Sequence, residues 1–599
     1  MTAMPSTAPG DALGALPKWN LADLYDGPQS SVLAADLQQA QALAAAFRSR
    51  HESRVAALTG PDFAAAIAEY EQIHEILGRI GSYAALLHAG DMSDALIGGF
   101  YQTTQERLTA IGAATLFFTL EINRIPDEAL HAQCTTPDLA RWQPWLRDLR
   151  AFRPYQLPDE LEQLLYEKSV TGHAAWSRLF DETMADLRFP IGGRDLTSAE
   201  AFDLMSNPDR ATRRAAAEAI TAGLRGAGRI LGLIHNTLAK DKEIEDRKRG
   251  FAQPISSRNL ENHVEDAVVD ALIGAAKAAY PVLSHRYYRL KAKWLGLEKL
   301  EYWDRNAPLP GTDDRIIPWP DAQGIVLDSY RQFSPRMAEI GERFFAKNWI
   351  DAPVRPGKTP GAFSHPVVPS AHPYLLMNYL GRTRDVMVLA HELGHGVHQV
   401  LAGGQGLLQA QTPLTLAETA SVFGEMLTFR NLLARETDPV QRRSLLAGKV
   451  EDMLGTAVRQ IAFCDFERRF HAERRLGEVT AERMGEIWMA IQHESLGDAF
   501  TFDPGYASWW SSVPHFIHSP FYVYAYAFGD CLVNSLYAVY QHSEAGFAER
   551  YLAMLSAGGT LRHRELLAPF GLDAADPGFW ARGLGVIGGF IDELEAIEA

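Results

Sequence analysis

One stretch, residues 386–401, restricts this chain more than any other: VMVLAHELGHGVHQVL. Inside it, His391-Glu392-Leu393-Gly394-His395 places two histidines four residues apart, and on a helix that spacing turns both imidazoles to one face, within reach of a single zinc ion. Glu392 then sits beside the metal rather than on it, the place of a general base. The flanking Val386, Leu389, Ala390, Val397 and Val400 are apolar, so the helix must be buried, where an unpaired histidine or glutamate would be costly. Any fold built around it has to bring up a further ligand, because a catalytic zinc takes three protein donors and keeps one position open.

Three residues qualify: His398, Glu418 and Glu425. His398, one turn past the pair on a straight helix, reads as a supporting or core residue. Glu418 opens a second apolar stretch, Thr415-Leu-Ala-Glu418-Thr-Ala-Ser-Val-Phe-Gly-Glu425, after a glycine-rich loop. Two roles compete for it, since Thr415-x-x-Glu418 is also a capping box. An acid among Leu416, Ala417 and Ala420 needs a strong partner, which favours the metal. Glu425, two turns further on the same side, is the candidate to orient a ligand histidine.

The rest of the chain sets the context. Its 599 residues exceed one ordinary core, and 47% of them are hydrophobic. A net charge of -17 argues against nucleic acid, whose phosphates would be repelled, and leaves a peptide or small-molecule partner. Cys134, Cys464 and Cys531 lie far apart with no metal or disulfide spacing. The first residues lack a basic and then apolar leader, and the apolar run at 111–120 is too short to span a bilayer. These features predict a cytoplasmic protein without a membrane partner; the oligomeric state is left open.

Residues 1–14 read as a loose tail, 15–200 as an N-terminal helical domain and 201–599 as the domain holding the zinc motif. Apolar residues recur at helical period over 31–179, interrupted at Gly60-Pro61, Gly90-Asp91, Ile125-Pro126 and Leu157-Pro158, which predicts long antiparallel helices. A hairpin is expected at 187–196, turning at Gly192-Gly193, with a helix opened by Asn207-Pro208 after it. Two short strands are expected within 360–380, just before the motif helix. Residues 500–528 are far richer in aromatics than the chain average of 10%, and they carry His515 and His518.

Taken together, the His391-Glu-Leu-Gly-His395 element, the Glu418-Thr-Ala-Ser run, Pro373-Tyr-Leu-Leu-Met-Asn-Tyr, Trp19-Asn-Leu-Ala-Asp-Leu-Tyr25 and His515-Phe-Ile-His-Ser-Pro-Phe-Tyr-Val-Tyr-Ala-Tyr526 resemble the M3 metallopeptidases, and within them the oligoendopeptidase F branch. The likeness spans nearly the whole chain. It implies a mainly α fold with a small sheet, a helical ellipsoid divided by a deep channel that admits short unstructured peptides, and one zinc ion per chain. It also implies that His515 and Tyr526 stabilise the oxyanion, with Tyr522, Tyr524 and His518 nearby as substrate contacts. Gly361, Ala362 and Phe363 are expected to bind substrate backbone as an added strand.

The expected activity is therefore zinc-dependent cleavage of internal peptide bonds, with His391, His395 and Glu418 as ligands and Glu392 as base. Two alternatives remain: a helical metallocarboxypeptidase carrying the same motif, and a peptide-binding protein without turnover.

Overall fold

Helices account for most of the backbone in a computed structural model that describes residues 13–169, 171–311, 315–359, 361–542 and 546–598. The expected tail, 1–14, therefore falls almost wholly outside the described residues. Packing divides the chain into two units, each assembled from three separate stretches. One comprises Met1–Arg153, Asp314–Arg435 and His542–Pro569; the other comprises Pro154–Asp313, Glu436–Gln541 and Phe570–Ala599. The boundary expected near residue 200 falls inside the second unit. A change in local composition cannot report which distant stretches share a core, and here both cores are built by chain returns.

In the first unit, the interruptions at glycine and proline mark real helix ends. Ser31–His51 buries Leu33, Leu37, Ala40, Ala44 and Phe47, one stripe at spacings of three and four. Gly60–Gly90 follows, with Pro61 in its first turn and the Thr59 side chain capping the Asp62 N–H. A three-stranded sheet precedes the motif helix in the order Ile350–Asp351, Tyr374–Leu376, Phe363–His365. The first pairing is parallel and the second antiparallel, which leaves Phe363–His365 at the edge. The two strands expected within 360–380 are these last two.

The motif helix runs Thr383–Ala402. Asp385 fixes its start by accepting the Leu380 and Arg382 N–H groups at 2.8 and 3.0 Å, and Gly403 follows its last turn. Val386, Leu389, Ala390 and Val397 are fully buried, as the sequence requires, and Leu393 joins them, whereas Val400 is only half-buried. Beside it packs Thr419–Arg435, preceded by the single turn Leu414–Ala417. Gly394 makes this approach possible, because a Cβ there would lie 2.5 Å from the Ala420 carbonyl oxygen and 2.7 Å from the Ser421 Cα.

The second unit holds the hairpin Phe189–Ile191 with Arg194–Leu196, turned by Gly192 and Gly193 at φ of +59° and +78°. The next helix, Arg210–Gly226, begins two residues later than expected. Asp209 caps it, while the Asn207 side chain accepts the Asp209 N–H. Asp266–Trp294 is long and apolar enough to cross a membrane by composition alone. A tight turn at Tyr280–Val282 breaks it, and Val268, Val269, Leu272, Ile273 and Tyr287 are buried in the unit.

Candidate active site

The candidate metal donors come together within the first unit. Single donor atoms of His391, His395 and Glu418 all lie within 4.8 Å of one another. Glu418 Oε2 stands 3.3 Å from His391 Nε2 and 3.4 Å from His395 Nε2. The Glu425 carboxylate meets His391 Nδ1 at 3.2 Å, which fixes the tautomer and leaves Nε2 free to ligate. Thr415 lies inside the single turn Leu414–Ala417, whose N-cap is Pro413. Glu418 sits at the break between the single turn and the next helix, accepting the Ser421 hydroxyl at 2.7 Å.

Electrostatics tests whether this donor set suits a cation. Burial disfavours the charged form of His391, yet Glu418 and Glu425 override it and push its pKa up to about 10. Burial likewise works against the Glu418 carboxylate, and the two histidines nonetheless hold its pKa well below the usual range. The centre thus sets a protonated His391 against an ionised Glu418, a carboxylate field that attracts positive charge. One divalent cation would satisfy the same field, and a His-His-Glu donor set has the chemistry that suits zinc. Glu392 is buried beside it and burial raises its pKa, so it can hold a proton in transit.

His398 lies outside the cluster of His391, His395 and Glu418: it is buried, and its pKa is pushed down to about 4, first by burial and then by His395. Its ring bonds the backbone of Ala417, the residue before Glu418, so it steadies the segment that carries the third donor. Other supports escaped the sequence reading. The Tyr330 hydroxyl donates to the Ala390 carbonyl at 2.5 Å, and the Tyr551 hydroxyl to the Thr419 carbonyl at 2.8 Å. Ser421 was within reach of inference at three residues past Glu418. Tyr330 and Tyr551 carry no local signal, because both arrive from distant helices.

Gly361, Ala362 and Phe363 lead into the edge strand. Asn378 Nδ2 donates to the Gly361 carbonyl at 2.9 Å, and the Ser364 hydroxyl donates to Gln399 Oε1 of the motif helix at 2.8 Å. The Phe363 ring rests 6.5 Å from that of Trp19. Among the described residues, no strand pairs with the outer edge of Phe363–His365.

In the second unit, His515, Tyr522 and Tyr526 form one cluster. His515 Nε2 is 3.4 Å from the Tyr526 hydroxyl, and the Tyr522 ring centroid lies 5.1 Å from that of Tyr526. Burial, and then His518, lowers the His515 pKa. Two expected members stand elsewhere. Tyr524 is fully buried with its hydroxyl accepting from Asn262 Nδ2 at 2.9 Å, and His518 turns to Asp181 at 2.9 Å. The tyrosines alternate in sequence but sit at the entry to a helix, Tyr524–His542, so Tyr522 and Tyr526 share a side while Tyr524 faces the core.

The profile of "Peptidase family M3" matches residues 328–586, and that of "Oligopeptidase F" matches 121–189. Oligopeptidase PepF of Bacillus subtilis is 25% identical over 528 residues, covering 86% of this chain and 77% of its own. An oligoendopeptidase F homolog of Lactococcus lactis is 25% identical over 547 residues, 86% of each chain. The crystal structure of oligoendopeptidase-F from Enterococcus faecium superposes with a TM-score of 0.71 at 22% identity, over 94% of this chain and 97% of that one. A Chlamydophila abortus protein reaches 0.85 at 21% identity over 99% of both, so the fold is shared end to end. Two profiles on separate stretches and relatives spanning most of the length agree, and the chain belongs to the oligoendopeptidase F branch of peptidase family M3.

Proposed function

We propose that the chain is a zinc metalloendopeptidase that cuts internal bonds of short, unstructured oligopeptides. The observation that carries this reading is the convergence of His391, His395 and Glu418, with Glu425 orienting His391 and Glu392 alongside. His391, His395 and Glu418 would hold zinc, which would supply Lewis acidity toward a carbonyl and would acidify water. The Glu392 carboxylate takes the proton from the attacking water and returns it to the nitrogen of the leaving amine. His515 and Tyr526 donate hydrogen bonds to the carbonyl oxygen as it gains charge, with Tyr522 packed against Tyr526. The lowered pKa keeps His515 a neutral N–H donor at pH 7. Substrate backbone pairs with the open edge at 361–365, where main-chain bonds give affinity without selecting side chains. The three cysteines are free, in keeping with work in a reducing cytoplasm.

The first test is Glu392→Gln. The variant should retain stoichiometric zinc while turnover of an internally quenched peptide falls by about three orders of magnitude or more; near-normal turnover with zinc bound would remove Glu392 from the mechanism. Mass spectrometry of peptides amidated at the C-terminus distinguishes the carboxypeptidase: internal fragments are expected, and stepwise loss of terminal residues is not.

A further inference from the structure

Away from the motif helix, two cations of the second unit share a small cavity, and the carboxylate that acts on Arg459, Glu451, is already bonded to Lys291. Arg305 and Arg459 both line it, together with Ser284, Tyr288, Gln492 and Ser495. Arg459 closes a π-helical turn, Gly455–Arg459, an irregularity that often marks a functional position. Among the described residues neither guanidinium is ion-paired, and Arg305 Nε is buried with no hydrogen-bond partner. Arg459 meets the Tyr288 hydroxyl instead.

Nearby carboxylates are already engaged. Glu451 Oε1 takes Lys291 Nζ and the Tyr287 hydroxyl, each at 2.6 Å, and Asp304 takes Arg210 and Arg213, each at 2.8 Å. Lys291 adds a third cation, its Nζ 2.7 Å from the Arg305 carbonyl oxygen. The consequence is visible on Arg459, whose pKa is pushed down to about 10, first by Arg305 and then by burial. Glu451 offsets this push only in part, since its Oε1 is held by Lys291 and Tyr287, and three cations stand against that one acid. Tyr506 takes up Gln492 Oε1 at 3.3 Å, so the amide end of Gln492 remains as a neutral donor on the cavity wall.

We propose that the cavity between Arg305 and Arg459 binds one small monovalent anion of halide size, chloride foremost. The two guanidiniums and the Gln492 amide supply N–H donors, and the anion cancels their repulsion. Size sets the class: the centre of a water-sized sphere has about 10 Å³ to move in, which leaves room for one small ion such as a halide and not for an extended organic acid. The site ties together Ser284–Trp294, the π turn and Ala481–Leu496, so anion binding should stabilise the second unit.

The test is thermal unfolding of the whole chain in sodium gluconate, with sodium chloride or bromide titrated in at constant ionic strength. The expected result is a halide-specific rise of about 1–3 °C that saturates as one site. Arg305→Gln and Arg459→Gln should each abolish that rise. An equal rise in gluconate alone, or a halide response retained in both variants, overturns the proposal. Crystals of the unaltered protein grown in bromide give a reading independent of how the variants fold: an anomalous peak within hydrogen-bond distance of both guanidiniums is expected, and its absence at saturating bromide also overturns the site.

Discussion

At the scale of single residues, the centre depends on partners that never touch a substrate. Glu425 aims His391, and Ser421 holds Glu418. Removing such a support costs metal affinity more than it costs fold. Glu425→Ala should therefore weaken zinc about 10- to 100-fold, read by competition with a chromogenic chelator, while the melting temperature of the zinc-loaded protein changes little. Tyr526→Phe separates donors from ligands: kcat should fall about 100-fold with zinc content and KM nearly unchanged. A fall in zinc content would instead give Tyr526 a structural role. Tyr524→Phe should be milder in turnover, since its hydroxyl is spent on Asn262.

At the scale of elements, helix proximity decides whether three donors meet. Gly394 lies against the Ala420 and Ser421 backbone, and Gly424 against Tyr330, whose hydroxyl oxygen would stand 2.3 Å from an added Cβ. Gly394→Ala should push the two helices apart, lowering both zinc affinity and stability, by about 1–3 kcal/mol for the latter. Calorimetry and metal titration on the same preparation check both. A second element is the turn before the tyrosines. Phe521 is held at φ +60°, its N–H donating to Glu467 Oε1 at 2.7 Å, and Arg258 Nε donates to the Pro520 carbonyl. Burial raises the Glu467 pKa to about 8 from an ordinary 4.5. The folded state therefore keeps a proton there that the unfolded chain releases above pH 4.5. Stability should be full below that pH and fall by about 1.4 kcal/mol per unit as pH rises toward 8. Glu467→Gln, neutral throughout, should flatten this slope in urea melts recorded from pH 5 to 8.

At the scale of the whole molecule, the chain returns matter most. The first unit joins its early helices to the metal segment through bonds such as Leu408 N–H to Glu71, Ser370 N–H to Glu75 and Gln409 to the Arg141 carbonyl. A fragment of residues 201–599 keeps every zinc donor and base but loses those partners. It should expose apolar surface, bind a hydrophobic dye and show no cooperative melt, despite containing the entire motif.

Much of the candidate site's placement was legible in the order of residues, because helical period alone brings His391 and His395 to one face with Glu392 beside them, and apolar flanks oblige the helix to be buried. Helix ends at Gly60-Pro61 and Gly90, the hairpin at Gly192-Gly193 and the two strands before the motif were equally local, each set by what glycine and proline permit. Tertiary structure decided the rest. It brought Glu418 beside His391 and His395, set His398 to bracing Ala417, and turned Tyr524 inward while Tyr522 and Tyr526 met His515. Those outcomes depend on how closely separate helices approach and which side of a helix faces the core, and both are properties of packing between stretches far apart in the chain.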